Sequence, residues 1–110
     1  YTTLFRSLVD SLEVGIATVT IEGINLRSRQ GTAMLRELDM FDLIADSEDS
    51  YIKLSVSLGR DRDLREEKGR EIREKMGRSL PKFLDGRAYS AQMGAIFEEL
   101  LEPGFRPRSY

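Results

Sequence analysis

The apolar positions in the first part of the chain change from helical to extended spacing. Leu8 and Leu12 recur at helical spacing up to Gly15, which is placed to end the helix in a left-handed conformation. Residues 16–21 then form a short run rich in β-branched side chains. Such a run predicts a buried strand.

Two more helices and a second strand are predicted before residue 60. An apolar stripe indicates a helix over 26–38, and the short run 42–45 indicates a second strand. Asp46 or Ser47 can cap a third helix, which Gly59 would end. Because helical patterns separate the two strands, we expect βαβ connectivity with a parallel sheet.

The second half of the chain is predicted to be helical. Residues 61–76 are so charged that only Leu64, Ile72 and Met76 remain as apolar anchors, so this helix should lie on the outside. Pro103 ends the last helix, and we expect a frayed tail over 103–110. The strongest amphipathic pattern precedes that proline and consists of Tyr89, Met93, Ile96, Phe97, Leu100 and Leu101.

The predicted fold class is therefore α/β, with two short parallel strands at about 16–21 and 42–45. About five helices accompany them, and the chain is mostly helical after residue 46.

Composition excludes several kinds of chemistry. The chain has 110 residues, a length that fits one domain. It contains 17 Lys and Arg and 19 Asp and Glu, which gives a net charge of −2. It contains no Cys and no His, which excludes disulfides, thiol nucleophiles, imidazole bases and the usual zinc sites. Acid–base chemistry would fall to carboxylates, Lys or Tyr. No apolar run approaches the roughly 18 residues of a membrane span, so we expect no membrane partner.

The charge pattern favours a solvated surface over a nucleic-acid interface. The segment 60–78 mixes both signs and lacks interleaved aromatic side chains, which is typical of a salt-bridged helix. The adjacent carboxylates of Glu66 and Glu67 diverge around a helix axis instead of converging on a substrate. The glycines match neither the dinucleotide-binding spacing nor the P-loop spacing.

Asp10 is the one carboxylate for which a binding role competes with a surface role. It lies on the helix before the first strand, on a different side from Leu8 and Leu12. A carboxylate there could accept paired hydrogen bonds from sugar hydroxyls. Periodicity alone favours the alternative, an exposed surface residue.

Five short motifs occur in an order that resembles one known family. Residues 9–23 follow the pattern D-x-L-x-x-G-x-P-x-V-T-x-x-G, with Ala17 in place of the proline. The segments 26–38 and 42–45 and then Tyr51, Leu54, Leu58, Leu64 and Arg65 continue the series. Over residues 8–102 the chain resembles the C-terminal part of the O-linked N-acetylglucosamine transferase family and of related bacterial cytoplasmic protein glycosyltransferases.

The resemblance implies a fragment of a GT-B enzyme, in which two Rossmann-like domains hold a sugar nucleotide between them. Residues 8–102 would be part of the donor-binding domain with its C-terminal helices, and Asp10 would contact the donor ribose. The parent enzyme would transfer a sugar from a UDP-sugar to Ser/Thr or Asn side chains of an acceptor protein in the cytoplasm. No cofactor, metal ligand or catalytic residue is expected within this chain, whose partner would be the missing N-terminal part of the same enzyme.

Residues 1–7 depart from the family. The resemblance places phosphate-binding residues at Phe5, Arg6 and Ser7, and these side chains do not fit that role. The sequence YTTLFRS is also the translation of TACACGACGCTCTTCCGATCT, which resembles the end of a sequencing adapter. We therefore treat residues 1–7 as an artefact joined to a truncated reading frame, an interpretation that also accounts for the absent initiator Met.

Two alternatives to the transferase fragment remain. A PAS-like sensory module would also begin with a helix that leads into a strand, but nothing after Ala45 has the period-2 alternation of its further antiparallel strands. A helical interaction module would leave the run 16–21 unexplained.

The resemblance also bears on stability, because the family's sheet has further parallel strands beside the run 16–21. If these strands are missing, the unpaired sheet edge and the uncovered apolar faces predict a marginally stable or aggregating chain.

Overall fold

The protein is a mostly helical α/β chain. The computed structural model describes the backbone of residues 2–101 and the side chains of residues 7–26 and 29–101. Within these residues five α-helices accompany two short strands, as the pattern predicts. In chain order they are α1 (Thr2–Val14), β1 (Thr20–Ile21), α2 (Leu26–Glu37), β2 (Ile44–Ala45), α3 (Glu48–Arg60), α4 (Arg62–Arg78) and α5 (Gly86–Leu101). The tail 103–110 lies outside the described residues.

The two strands pair in parallel, but they are shorter than predicted. Thr20 lies opposite Ile44 and Ile21 opposite Ala45. Residues 16–19 find no ladder partner among residues 2–101, and Asp42 and Leu43 belong to a 3-10 turn over Phe41–Leu43 that precedes β2. The predicted spans 16–21 and 42–45 are therefore wrong at their first residues, because β-branched composition does not supply a neighbouring strand. No antiparallel pairing of the PAS type occurs in the described residues.

Helices α1 and α2 each end in a hydrogen-bonded turn, and the two turns are of the same type. After α1, the Gly15 and Ile16 amides donate to the Leu12 and Ser11 carbonyls at 3.1 and 2.8 Å, and Gly15 has a φ of +77°. This confirms the predicted left-handed glycine. After α2, Asp39 takes the left-handed position with a φ of +53°.

The predicted end of α3 at Gly59 is one residue too early. The helix continues through Arg60, and Asp61 forms the junction with α4. The Asp61 amide donates to the Ser57 carbonyl, while its side chain accepts from the Leu64 amide at 3.0 Å. The Arg65 guanidinium also donates to the Leu58 and Gly59 carbonyls. These groups satisfy the α3 terminus without a left-handed glycine.

The core lies where α1, α2, α3 and α4 meet beside the sheet. Its buried side chains are Val9, Leu12, Met34, Leu35, Leu38, Met40, Leu43, Leu58 and Ile72. The anchors predicted for α4 are confirmed, since Ile72 is fully buried and Leu64 and Met76 pack against the core. Most charged residues of α4 are exposed, as expected for a helix with so few apolar positions, whereas Lys68, Glu71 and Lys75 are half-buried.

The last helix differs from the others because it stands apart from the core. A 3-10 turn over Lys82–Leu84 precedes α5, and the helix packs mainly against that turn. None of the residues 86–101 is buried. The amphipathic pattern thus correctly predicts the helix, but its apolar face has no partner within the described chain.

Candidate functional site

The carboxyl ends of β1 and β2 lie side by side, because the two strands are parallel. Open α/β sheets commonly bind ligands at this edge. Glu22 follows β1 directly and Asp46 follows β2 directly. These two carboxylates, together with Asp10 on the preceding helix, are the groups to consider for binding.

Glu22 is held against α2 by arginines. The Arg36 guanidinium donates to both Glu22 carboxylate oxygens, at 2.9 and 2.7 Å, and Arg29 Nε donates to the Gly23 carbonyl at 3.3 Å. The hydrogen bond from Arg36 lowers the pKa of Glu22, and the same bond raises the pKa of Arg36. A carboxylate with a lowered pKa and a paired arginine is a poor proton acceptor. Its effect here is to fix the loop between β1 and α2.

Asp46 caps α3 together with two serines. Its carboxylate accepts from Ser50 Oγ at 2.7 Å and from Ser47 Oγ at 3.1 Å, and Ser47 Oγ accepts from the Ser50 amide at 3.2 Å. Hydrogen bonds lower the pKa of the Asp46 carboxyl. The bond from Ser50 has the largest effect, followed by those from Ser47 and from the Asp46 amide. The sequence left open whether Asp46 or Ser47 is the cap. Ser47 occupies that position, and Asp46 supports it.

Asp10 is placed differently from these two carboxylates. It is exposed on α1, between the buried Val9 and the fully buried Leu12. No described side chain pairs with it, so its carboxylate can accept hydrogen bonds from a ligand. The two apolar neighbours fix the orientation of the helix that carries it.

A chain of ion pairs along α4 joins this helix to the rest of the fold. Lys68 pairs with both Asp42 and Glu71, Glu71 also pairs with Lys75 at 2.9 Å, and Lys75 Nζ donates to the Asp39 carbonyl at 3.0 Å. The hydrogen bond to Asp42 raises the pKa of Lys68, and the hydrogen bond from Lys75 lowers the pKa of Glu71. The predicted salt-bridged surface of α4 is confirmed.

Two clefts lie beside α2. One, of about 260 Å³, is lined by Gln30, Ala33, Met34, Glu37, Lys82 and Phe83, and is mostly apolar. The other, of about 180 Å³, includes Asp39, Lys75 and Arg78. Sequence reasoning missed both clefts, because each joins residues in or just after α2 to residues about 36 to 53 positions later and no local pattern signals that contact. Neither is lined by Asp10.

Within residues 2–101, no group of three or more acidic side chains is placed to hold a metal ion. None of the helices described for this chain has both the length and the apolar character required to cross a membrane. The chain matches no protein-family model, no curated protein and no solved structure.

Proposed function

We propose that this chain is the C-terminal part of the donor-binding domain of a UDP-sugar-dependent protein glycosyltransferase of the GT-B type. The observation that carries the proposal is the order α1–β1–α2–β2, with parallel pairing of the strands and an exposed Asp10 on α1. The resemblance over residues 8–102 implies the same order of elements, and it implies that Asp10 contacts the donor ribose. The parent enzyme would act in the cytoplasm on Ser/Thr or Asn side chains of an acceptor protein.

The outer edge of β1 supports a larger sheet. In the described residues β1 pairs only with β2, and two apolar side chains in the segment that leads into β1 are exposed, Val14 by 60% and Ile16 by 55%. A Rossmann-like domain covers such residues with further parallel strands and their helices. In the proposed enzyme those strands belong to the N-terminal part of the same polypeptide, which is the main partner of this chain.

Asp10 has the chemistry that a ribose contact requires. An ionised carboxylate accepts hydrogen bonds through two oxygens, and the 2′ and 3′ hydroxyls of a ribose are adjacent donors. Glu22 and Asp46 already accept side-chain hydrogen bonds within the chain. Asp10 accepts no such bond from a described side chain, so both of its oxygens can accept from a donor substrate.

The proposal assigns no catalytic residue to this chain. Sugar transfer needs activation of the acceptor and stabilisation of the departing diphosphate. In the proposed enzyme, groups upstream of residue 8 perform both tasks. We therefore expect the isolated chain to bind the nucleoside weakly and to show no UDP-sugar turnover.

The ribose contact can be tested by NMR on the 110-residue chain. Titration with uridine or UDP should shift the amide signals around Asp10, with dissociation constants in the millimolar range (about −4 kcal/mol) because the phosphate site is absent. The ligand 2′,3′-dideoxyuridine, which lacks both hydroxyls, should cause much smaller shifts.

A pair of variants separates the Asp10 contact from general effects on α1. Asp10→Ala should abolish the uridine shifts, whereas Glu13→Ala, at an exposed position one turn later on the same helix, should leave them unchanged. Equal shifts with the dideoxy ligand, or uridine binding that survives Asp10→Ala, would contradict the assignment of the ribose to Asp10. Turnover of a UDP-sugar by the isolated chain would contradict the absence of catalytic groups.

A further inference from the structure

The two clefts beside α2 adjoin each other. Glu37 lines both of them, and the consecutive residues Pro81 and Lys82 line one cleft each. Their volumes, about 260 and 180 Å³, together fall in the range of small-molecule sites. We call the two clefts together the α2 groove.

The larger cleft of the α2 groove is an apolar space between a helix and a turn. Ala33, Met34 and Glu37 lie on one face of α2, since Glu37 is three residues from Met34 and four from Ala33. Lys82 and Phe83 line the cleft from the 3-10 turn that precedes α5. Phe83 packs against the core and Met34 is only 3% exposed, so both walls are held in place. Because its lining is mostly apolar, this cleft fits the ring of a ligand and not a charged group.

Charged side chains of both signs border the groove. The carboxylates of Glu37 and Asp39 accept no hydrogen bond from any described side chain, and the Lys82 ammonium pairs with no described residue. Arg78 lines the second cleft and pairs, within the described chain, only with Glu74, at 4.0 Å, while its side chain is 74% exposed. A ligand with a single charge would complement only one of these signs, whereas a zwitterion complements both.

We propose that the α2 groove binds a free aromatic α-amino acid as a zwitterion. The aromatic ring occupies the apolar cleft, against Met34 and Phe83. The ammonium group lies at Glu37, where the two clefts meet, and the carboxylate faces Arg78 in the second cleft. An α-amino acid carries its side chain, its ammonium group and its carboxylate on one carbon atom, so each of the three can meet a different part of the groove.

The site is independent of the proposed function, because Asp10 lines neither cleft. It can be tested by NMR titration of the 110-residue chain with L-phenylalanine. The amide signals of Ala33, Met34 and Phe83 should shift, and those around Asp10 should not. The dissociation constant should be roughly 1–3 mM for a ligand of about 12 non-hydrogen atoms. Glycine, which has no ring, should shift none of these signals.

Two derivatives of phenylalanine test the zwitterion. L-Phenylalaninamide lacks the carboxylate, and N-acetyl-L-phenylalanine lacks the ammonium group. Each should bind about threefold more weakly than phenylalanine, a small factor because ion pairs of exposed side chains contribute little. If either derivative binds as tightly as phenylalanine, the ligand is not held as a zwitterion and the proposal is wrong.

Three variants test the position of the ligand. Ala33→Leu fills the apolar cleft and should abolish the phenylalanine shifts. Glu37→Gln should weaken phenylalanine about threefold and leave N-acetyl-L-phenylalanine unaffected, because that derivative brings no ammonium group. Arg78→Gln should likewise weaken phenylalanine and leave L-phenylalaninamide unaffected. Glu67→Gln is the matched control, since Glu67 is exposed on α4 and lines neither cleft.

The outcomes that would overturn the proposal are direct. They are the absence of shifts at about 20 mM phenylalanine, shifts that survive Ala33→Leu, or equal affinities in Glu37→Gln and Glu67→Gln. Circular dichroism checks that Ala33→Leu keeps the helix content, as expected for leucine at an exposed helix position. If that variant unfolds, Glu37→Gln and Arg78→Gln decide the test, because both side chains are exposed and their replacement leaves the core intact.

Discussion

At the scale of single residues, Gly69 determines how closely α4 approaches α1. A Cβ at position 69 would collide with the Gly15 carbonyl oxygen, which is a backbone atom at the end of α1. Beside this contact, Arg73 Nη1 donates to the Val14 and Gly15 carbonyls, at 3.4 Å each. The two glycines and Arg73 therefore join α4 to the helix that carries Asp10.

We expect Gly69→Ala to lower the free energy of unfolding by roughly 2 kcal/mol, because overpacking against backbone forces the two helices apart. Gly77→Ala is the matched control on the same helix, since a Cβ there meets nothing within 4 Å. This control should raise the free energy of unfolding by about 0.5–1 kcal/mol through helix propensity. Denaturant titrations of both variants check the prediction, and equal stabilisation by the two alanines would contradict the close approach.

Asp39 is the other residue whose backbone conformation has a measurable cost. Its φ of +53° is tolerated by Asp but is best suited to Gly. Asp39→Gly should therefore be more stable than Asp39→Ala by about 1 kcal/mol. Both variants keep the backbone carbonyl that accepts from Lys75, so the comparison isolates the conformational preference. If thermal unfolding shows Asp39→Ala to be as stable as Asp39→Gly, or more stable, residue 39 is not left-handed.

Of Gly15, Asp39 and Gly69, only Gly15 has a structural role that the sequence predicted. Gly15 follows an amphipathic run, which is a local signal for a left-handed helix end. Asp39 gives a weaker signal of the same kind, and Gly69 gives none, because its role depends on a carbonyl group 54 positions earlier. Asp10 was identified by resemblance, and the structure adds only that it is exposed.

At the scale of elements, side-chain caps determine where α3 begins and where α4 follows it. Ser47→Ala removes the hydroxyl that accepts from the Ser50 amide and should cost about 1 kcal/mol of stability. Ser57→Ala, at an exposed position in the last turn of α3, should be neutral or slightly stabilising. If urea titrations give the two variants the same stability, Ser47 does not cap the helix.

The ion pairs of α4 predict a pH dependence. Hydrogen bonds from Lys75 and Lys68 lower the pKa of Glu71 from its ordinary value of 4.5, against the opposing effect of burial. A carboxyl group whose pKa is lowered by folding stabilises the fold above its ordinary pKa, and this contribution is lost as the pH falls through the lowered pKa. Glu71→Gln should therefore destabilise the chain at pH 7, by about 0.5 kcal/mol for a partly exposed network, and should have no effect near pH 3.

Glu67→Gln is the control for this pH dependence, because Glu67 is exposed on the same helix. Its difference from the natural chain should be small at both pH values. Stability curves from pH 3 to pH 7 for the two variants make the comparison. An effect of Glu71→Gln that is as large at pH 3 as at pH 7 would contradict the ion-pair explanation.

Helix positions were easier to predict than strand lengths for a physical reason. A helix satisfies its hydrogen bonds within its own segment, so capping residues and apolar spacing indicate its ends. A strand extends only as far as a neighbour pairs with it, and β1 has a neighbour for two residues. The β-branched run therefore predicted a strand correctly but overestimated its length.

At the scale of the whole molecule, the chain is more extended than a compact domain of its length. Its radius of gyration is 17.0 Å, whereas about 13 Å is expected for 110 residues. The parallel ladder is only two residues long, and α5 stands outside the core. These features leave apolar surface of the described residues uncovered, and the expected marginal stability of the isolated chain stays a prediction.

The most direct measurement is the donor kinetics of this chain joined to its own upstream coding sequence. The proposal predicts transfer of a sugar from a UDP-sugar to protein. Asp10→Ala should raise the KM for the donor at least about tenfold, with a smaller change in kcat, because a ribose contact contributes equally to ground-state and transition-state binding. Glu13→Ala should leave both constants unchanged. An extended protein that transfers no sugar from any UDP-sugar, or a donor KM that Asp10→Ala leaves unaltered, would contradict the proposed function.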